Sequence, residues 1–312
     1  MAVDTAIRIV RLAREVGFCF GVKRAINMTR AALEIRPTVS ILGELVHNKR
    51  VTDELEAKGL AKVADVAAAP MGTMVVRAHG IPRATMREAM DRGLDIVDAT
   101  CPIVLKAQQA AVTLEQRGCQ VVIIGDRNHA EIKGIIGALE GEPLVIDSIT
   151  ELHEAQRTGA LRRKVGVIFQ TTHALELCNA LLNEMVMLCR EVQVINTICR
   201  PVQKRQDDAI GLAESVDLML VVGSRGSANT VELAGLCRHH NPYTVQIEGA
   251  HELTSELFEW AEEIGIASGL STPEDLVEGV RKAVLDCPSP IRPGNRPSAG
   301  SLPDLLHVAS AL

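Results

Sequence analysis

The chain has 312 residues, 47% hydrophobic and 23% charged, with aromatics at only 2% and a formal net charge of −6. At roughly one domain per 100–200 residues, this length predicts two or three domains rather than one core. The acidic balance and the lack of a long basic run argue against a nucleic-acid-binding surface, and no run reaches the ~18 consecutive apolar residues of a membrane span.

The first eighteen residues, MAVDTAIRIVRLAREVGF, intersperse charges among short apolar runs and lack a signal-peptide core, so a cytoplasmic address is expected. With so few aromatics, the core must be built from Val, Ile, Leu, Ala and Met. Along the chain, strand-like apolar runs fall at 74–77, 95–97, 120–124, 164–169, 192–195, 218–222 and 264–267. Helical patterns lie between them at 22–35, 83–92, 105–117, 174–189, 202–214 and 273–285. This alternation predicts an α/β protein made of βαβ units with parallel sheets.

Nine clusters of small, polar or reactive residues sit where strands should end and helices begin: GFCFGV, GELVHN, RAHGIP, DATCPI, GDRNHAEIKG, FQTTHA, NTICRP, GSRGSANT and ASGLSTP. Ligands of parallel sheets bind at such strand ends, and nine clusters suggest three for each of three units. The expected units are 1–100 with Cys19, His47 and His79; 101–197 with Cys101, His129, Glu131 and Thr171; and 198–285 with Cys199, Ser227, Asn229 and Ser271. The remainder, 286–312, is rich in Pro, Ser and Gly and reads as a disordered tail.

The chain has eight cysteines, and a cytoplasmic setting argues against pairing them into disulfides. No CxxC pair occurs, so any metal site must draw ligands from distant segments. Cys119, Cys178, Cys189, Cys237 and Cys287 read as ordinary small packing residues. Cys19, Cys101 and Cys199 differ, since each follows a strand end and precedes a helix. There, exposed N–H groups and the helix dipole stabilise a thiolate. Three thiolates without a fourth suit an iron–sulfur cluster with one open iron acting as a Lewis acid, although cysteines alone do not separate that from a zinc site.

A lone loop histidine usually bonds its own loop, but His47, His79 and His129 recur at matching strand ends. With Ser227, Asn229 and Ser271 they form a donor set suited to a diphosphate. GSRGSANT offers small residues to an anion but is not a Walker A motif. Glu131 opens a helical stretch, where a capping role is common; in a water-poor pocket it would deliver protons. Thr171 and Thr172 fit a helix cap, and a threonine hydroxyl there would also relay a proton or hold a substrate hydroxyl.

GFCFGVKRAI, LVHN, AHG, DATCP, GxxxHxE, QTT, a third Cys before a Q-x-RQ run, VVGSxxSxN and a late S-x-P, in that order, resemble the 4-hydroxy-3-methylbut-2-enyl diphosphate reductases. These are the last enzymes of the methylerythritol phosphate route to isoprenoids. The likeness runs from about residue 9 to 285.

It implies three similar α/β domains in pseudo-threefold arrangement around a central [4Fe-4S] cluster held by Cys19, Cys101 and Cys199. The fourth iron would take the substrate hydroxyl. His47, His79, Ser227, Asn229 and Ser271 would bind the diphosphate, and Glu131, Thr171 and His129 would supply protons at the substrate. The implied reaction is a reductive dehydration to isopentenyl and dimethylallyl diphosphate, with electrons from a ferredoxin or flavodoxin.

Three departures stand out. Ala228 replaces a second serine, Cys199 is followed by Arg200-Pro201-Val202 where the family has a pocket threonine, and the GDRNH loop differs from the usual one. Arg200 is a candidate replacement phosphate ligand. The competing readings are a cluster enzyme acting on another diphosphate and a non-catalytic iron–sulfur redox sensor.

Overall fold

The computed structural model describes residues 8–46, 48–287, 294 and 296–298. In chain order the elements are β1 (Ile9–Leu12), α1 (Phe20–Ile35), β2 (Val39–Leu42), α2 (Lys49–Ala57), β3 (Leu60–Val63), β4 (Thr73–Val76), α3 (Arg83–Asp91) and β5 (Asp95–Asp98). They continue with α4 (Pro102–Gln116), β6 (Gln120–Ile124), α5 (Ala130–Ile136), β7 (Leu144–Ile146), α6 (Ile149–Arg157), β8 (Lys164–Phe169), α7 (Leu175–Leu188) and β9 (Glu191–Val194). The last are α8 (Arg200–Ala213), β10 (Leu218–Val222), α9 (Ala228–His240), β11 (Thr244–Ile247), α10 (Ser255–Phe258), β12 (Glu263–Ser268) and α11 (Glu274–Leu285).

The strands form three four-stranded sheets with the orders β3-β2-β4-β5, β7-β6-β8-β9 and β11-β10-β12-β1, every pairing parallel. The three orders are one topology repeated. In each, an edge strand (β5, β9 or β1) leads to a cysteine and the next long helix.

The third sheet takes its edge strand from the N-terminus, with Ile9 to Leu12 paired along Glu263 to Ile266. A division into contiguous stretches therefore breaks at this point. Strand β1, expected within 1–100, lies in the sheet that 198–285 builds, and Cys19 falls in the same compact unit. By contact, the described chain separates into two compact units. One holds residues 8–19, 48–49 and those from 204 onward; the other holds 20–46 and 50–203.

The long apolar runs are strands buried on both faces. Leu218, Leu220 and Val222 pack with Val245, Ile264, Ile266 and Trp260 on one side of their sheet. Met219 and Val221 pack with Ala209, Leu233, Ala234 and Cys237 on the other. Residues of β6 and β8 divide the same way, Val122, Ile124, Val165 and Val167 against Val121, Ile123 and Ile168.

The pattern found β6, β8 and β10 to the residue, and missed short strands with polar or exposed positions. One of these, β11, buries Thr244 and Gln246, because loop carbonyls of Asn241 and Gly223 accept from their side chains at 2.7 and 3.2 Å. Another, β1, is a mostly exposed edge.

Among the described residues no helix is long and apolar enough to cross a membrane. The tail expected at 286–312 lies largely outside the described residues; within it, Arg296 stands over the Tyr243 ring, 4.1 Å from its centroid.

Candidate functional site

Each of the three loop cysteines is half-buried between an edge strand and a helix. Cys101 is the N-cap of α4, with Pro102 as the first helical residue. Before it, the Thr100 N–H and hydroxyl both donate to Asp98 Oδ1, at 2.9 and 2.5 Å, and Arg24 donates to the Thr100 carbonyl at 3.0 Å.

Before Cys199, Asn196 Oδ1 accepts from the Ile198 N–H at 3.0 Å, and the Thr197 hydroxyl bonds both backbone groups of Phe169. Before Cys19, the chain turns at Gly17, whose φ of +85° favours glycine. A Cβ there would lie 2.2 Å from Glu274 Cγ. The buried Arg205 holds this turn, donating from Nη1 to the carbonyls of Gly17 at 2.8 Å and Gly269 at 3.3 Å.

All three cysteines share one further contact. The backbone N–H of Cys101 donates to the Ala78 carbonyl, that of Cys199 to Thr171 and that of Cys19 to Leu270, at 2.9, 2.8 and 3.1 Å. The three acceptors occupy equivalent places just past β4, β8 and β12. Each turn thus fixes the backbone N–H of its cysteine in the same way.

Glu131, in the first turn of α5, is only 1% exposed. Its two oxygens accept from Thr171, Oε1 from the backbone N–H at 2.7 Å and Oε2 from the hydroxyl at 2.8 Å. Burial pushes the carboxyl above the usual carboxylate range, opposed by the two Thr171 bonds and the nearby His173 charge. His129 is the N-cap of α5, its Nδ1 accepting from the Glu131 N–H at 3.3 Å, which leaves Nε2 to carry the ring proton. The His79 ring meets the His129 ring edge-on, with centroids 5.4 Å apart. His79, His129, Glu131 and Thr171 are thus linked by contact, in the unit that also holds Cys101 and Cys199.

The other unit carries the neutral donors. Ser227 is the buried N-cap of α9, and Asn229 follows two residues on. Asn229 Oδ1 accepts from the Leu270 N–H at 3.2 Å. Ser271 is also buried, and its carbonyl accepts from Asn48 Nδ2 at 2.9 Å. His47, which precedes Asn48, lies outside the described residues. Ala228 and Arg200 are both exposed, at the first positions of α9 and α8.

Arg205, Asn48 and Gln170 were not singled out by role, although each stands inside a landmark run. Gln170 is buried beside Gly125 and accepts from the Asp126 N–H at 3.0 Å. The signal for such residues is a long polar side chain next to a turn that it must hold.

Among the described residues, no group of three or more His, Cys, Asp or Glu side chains is gathered as a site for a metal ion. A cluster makes a different demand, one thiolate for each of several irons, and the donors on offer are three thiols at equivalent turns.

The family described as LytB protein matches residues 10–285. A 4-hydroxy-3-methylbut-2-enyl diphosphate reductase of Geobacter sulfurreducens is 40% identical over 275 residues, which are 88% of this chain and 96% of that protein. A reductase of the same name from Helicobacter pylori is 35% identical over 277 residues, 88% of this chain and 98% of the other.

A solved (E)-4-hydroxy-3-methyl-but-2-enyl diphosphate reductase, titled the terminal enzyme of the non-mevalonate pathway, is 32% identical. It aligns over 90% of this chain and 100% of its own, with a TM-score of 0.67. The Plasmodium falciparum enzyme, at 24% identity and a TM-score of 0.85 over 91% of this chain and 90% of its own, bears on the fold alone. The match opens within the first strand, closes with the last helix and takes in every strand-end turn described above; this chain belongs to the LytB protein family.

Proposed function

We propose that this protein reduces 4-hydroxy-3-methylbut-2-enyl diphosphate to isopentenyl and dimethylallyl diphosphate, with the acid supplied by Glu131. The observation that carries this is the Glu131–Thr171 clasp, a carboxyl buried from water, raised above its usual range and bonded to a hydroxyl at a strand end. A merely structural glutamate at a helix start would rest in solvent. The 2.8 Å contact works in both senses. As a carboxylate, Glu131 accepts from Thr171; as an acid, it donates to Thr171, whose own hydrogen then points onward to substrate.

Ser227, Asn229, Ser271, His47 and His79 are read as ligands of the diphosphate, and His129 as a second donor to substrate. Cys19, Cys101 and Cys199 would hold a [4Fe-4S] cluster. Soft thiolates at helix N-termini suit iron–sulfur ligation, and three of them leave one iron open. Such a cluster passes electrons singly and polarises a bound hydroxyl oxygen. A ferredoxin or flavodoxin is the class of donor we assign, and the cytoplasm, a reducing compartment, suits a chain whose cysteines form no disulfide among the described residues.

The test is anaerobic turnover of the substrate by cluster-loaded protein with a chemical reductant. Both diphosphate products are expected. Protein that carries its cluster and forms neither product would sink the assignment.

A further inference from the structure

A buried acid that gives up a proton in every turnover must be recharged. The reaction proposed above, on which this inference rests, takes two electrons from an external one-electron donor and two protons from solvent. The C–O bond breaks, the hydroxyl leaves as water with one proton, and the allylic carbon keeps the other. Glu131 is 1% exposed and both its oxygens face Thr171, so solvent does not reach it directly.

The same turn carries His173, held by its N–H on the Gln170 carbonyl at 3.1 Å. The His173 ring is 13% exposed, and its Nε2 lies 2.8 Å from Oδ1 of Asp147, which is 46% exposed. Asp147 stands just past β7, its N–H donating to Glu151 Oε2 at 2.6 Å, while the Ser148 hydroxyl accepts from the Glu151 N–H at 3.1 Å. These two bonds hold the loop that carries Asp147 at the start of α6. The imidazole thus meets a solvent-facing carboxylate, two residues along the turn from the Thr171 that clasps the buried Glu131, and an imidazole so placed can pass protons.

We propose that His173, seated against Asp147, is a positioning residue that returns protons from solvent to Glu131 between turnovers. The titratable groups around this path are Asp147 and Glu151 on the α6 side, and Glu131, His129 and His79 on the α5 side. The charge that His173 places on Glu131 accords with the same path.

The test compares cluster-loaded wild type, His173→Leu and Asp147→Asn under excess reductant. His173→Leu should keep the first turnover within about twofold, lose about tenfold in steady-state rate and regain it on addition of imidazole. Asp147→Asn should show a smaller loss of the same kind.

The second readout needs no turnover: the infrared band of the protonated Glu131 carboxyl, assigned by its absence in Glu131→Gln. Its titration should move to higher pH in His173→Leu, because a positive charge has been removed. An unmoved band overturns the proposal, as does a rate loss that imidazole does not restore, since that marks a loop brace. Should the wild type form no product, the reaction assignment fails, while the band still reports whether His173 acts on Glu131.

Discussion

Two turns of this protein are built on one plan and filled with different chemistry. In one, the side chain two residues past the N-cap of α5, Glu131, accepts from the Thr171 N–H, and the Thr171 carbonyl accepts from Cys199. In the other, the side chain two residues past the N-cap of α9, Asn229, accepts from the Leu270 N–H, and the Leu270 carbonyl accepts from Cys19. Both are struts from a helix start, through a strand-end turn, to a cysteine.

The amide strut is neutral and half-buried, so it holds its turn without a proton to give. The carboxyl strut is buried and gains a hydroxyl contact, and burial raises its carboxyl above the usual range. The comparison shows that the position of Glu131 is inherited from the repeat, whereas its chemistry comes from its burial.

Separating strut from acid is the sharpest test. Glu131→Gln keeps an acceptor for the Thr171 N–H, as Asn229 does for Leu270, while its amide has no acidic proton to give. Turnover should fall by about 10²–10⁴-fold, the range of general acid catalysis, while the protein folds and keeps its iron, read by anaerobic assay and metal analysis. Retained turnover would mean that the strut alone is needed.

The cysteine turn of the neutral strut breaks more physically. Gly17→Ala places a side chain at φ +85° and 2.2 Å from Glu274 Cγ, and should cost about 1–3 kcal/mol in chemical denaturation.

Stability against pH distinguishes the two struts in sign. Because burial raises the Glu131 carboxyl, the unfolded chain releases that proton at lower pH than the folded one. Wild-type stability relative to Glu131→Gln should therefore be best below the usual carboxylate range. It should decline as pH rises from there up to the raised folded value. Urea midpoints at several pH values would measure this, and a flat difference would refute it.

Asn229→Ala is the mildest change. Loss of one partly buried hydrogen bond should cost about 0.5–1.5 kcal/mol with no pH signature.

The sequence by itself determined the α/β class, three of the four longest buried strands to the residue, and the strand-end location of the reactive residues. Those features are written locally: an apolar run of five or six residues is a buried strand, and the small polar residues after it form the turn. It also determined the family, since the landmarks and their order are properties of the chain alone.

Tertiary structure decided what depends on distant partners. Ile9 to Leu12 is an unremarkable stretch until Glu263 to Ile266 lies beside it. Arg205 is one basic residue among many until the carbonyls of Gly17 and Gly269 converge on it. Glu131 reads as a helix-start glutamate until Thr171, forty residues further on, takes both its oxygens out of water. Burial is a property of all the segments that meet at a point, and no local pattern contains it.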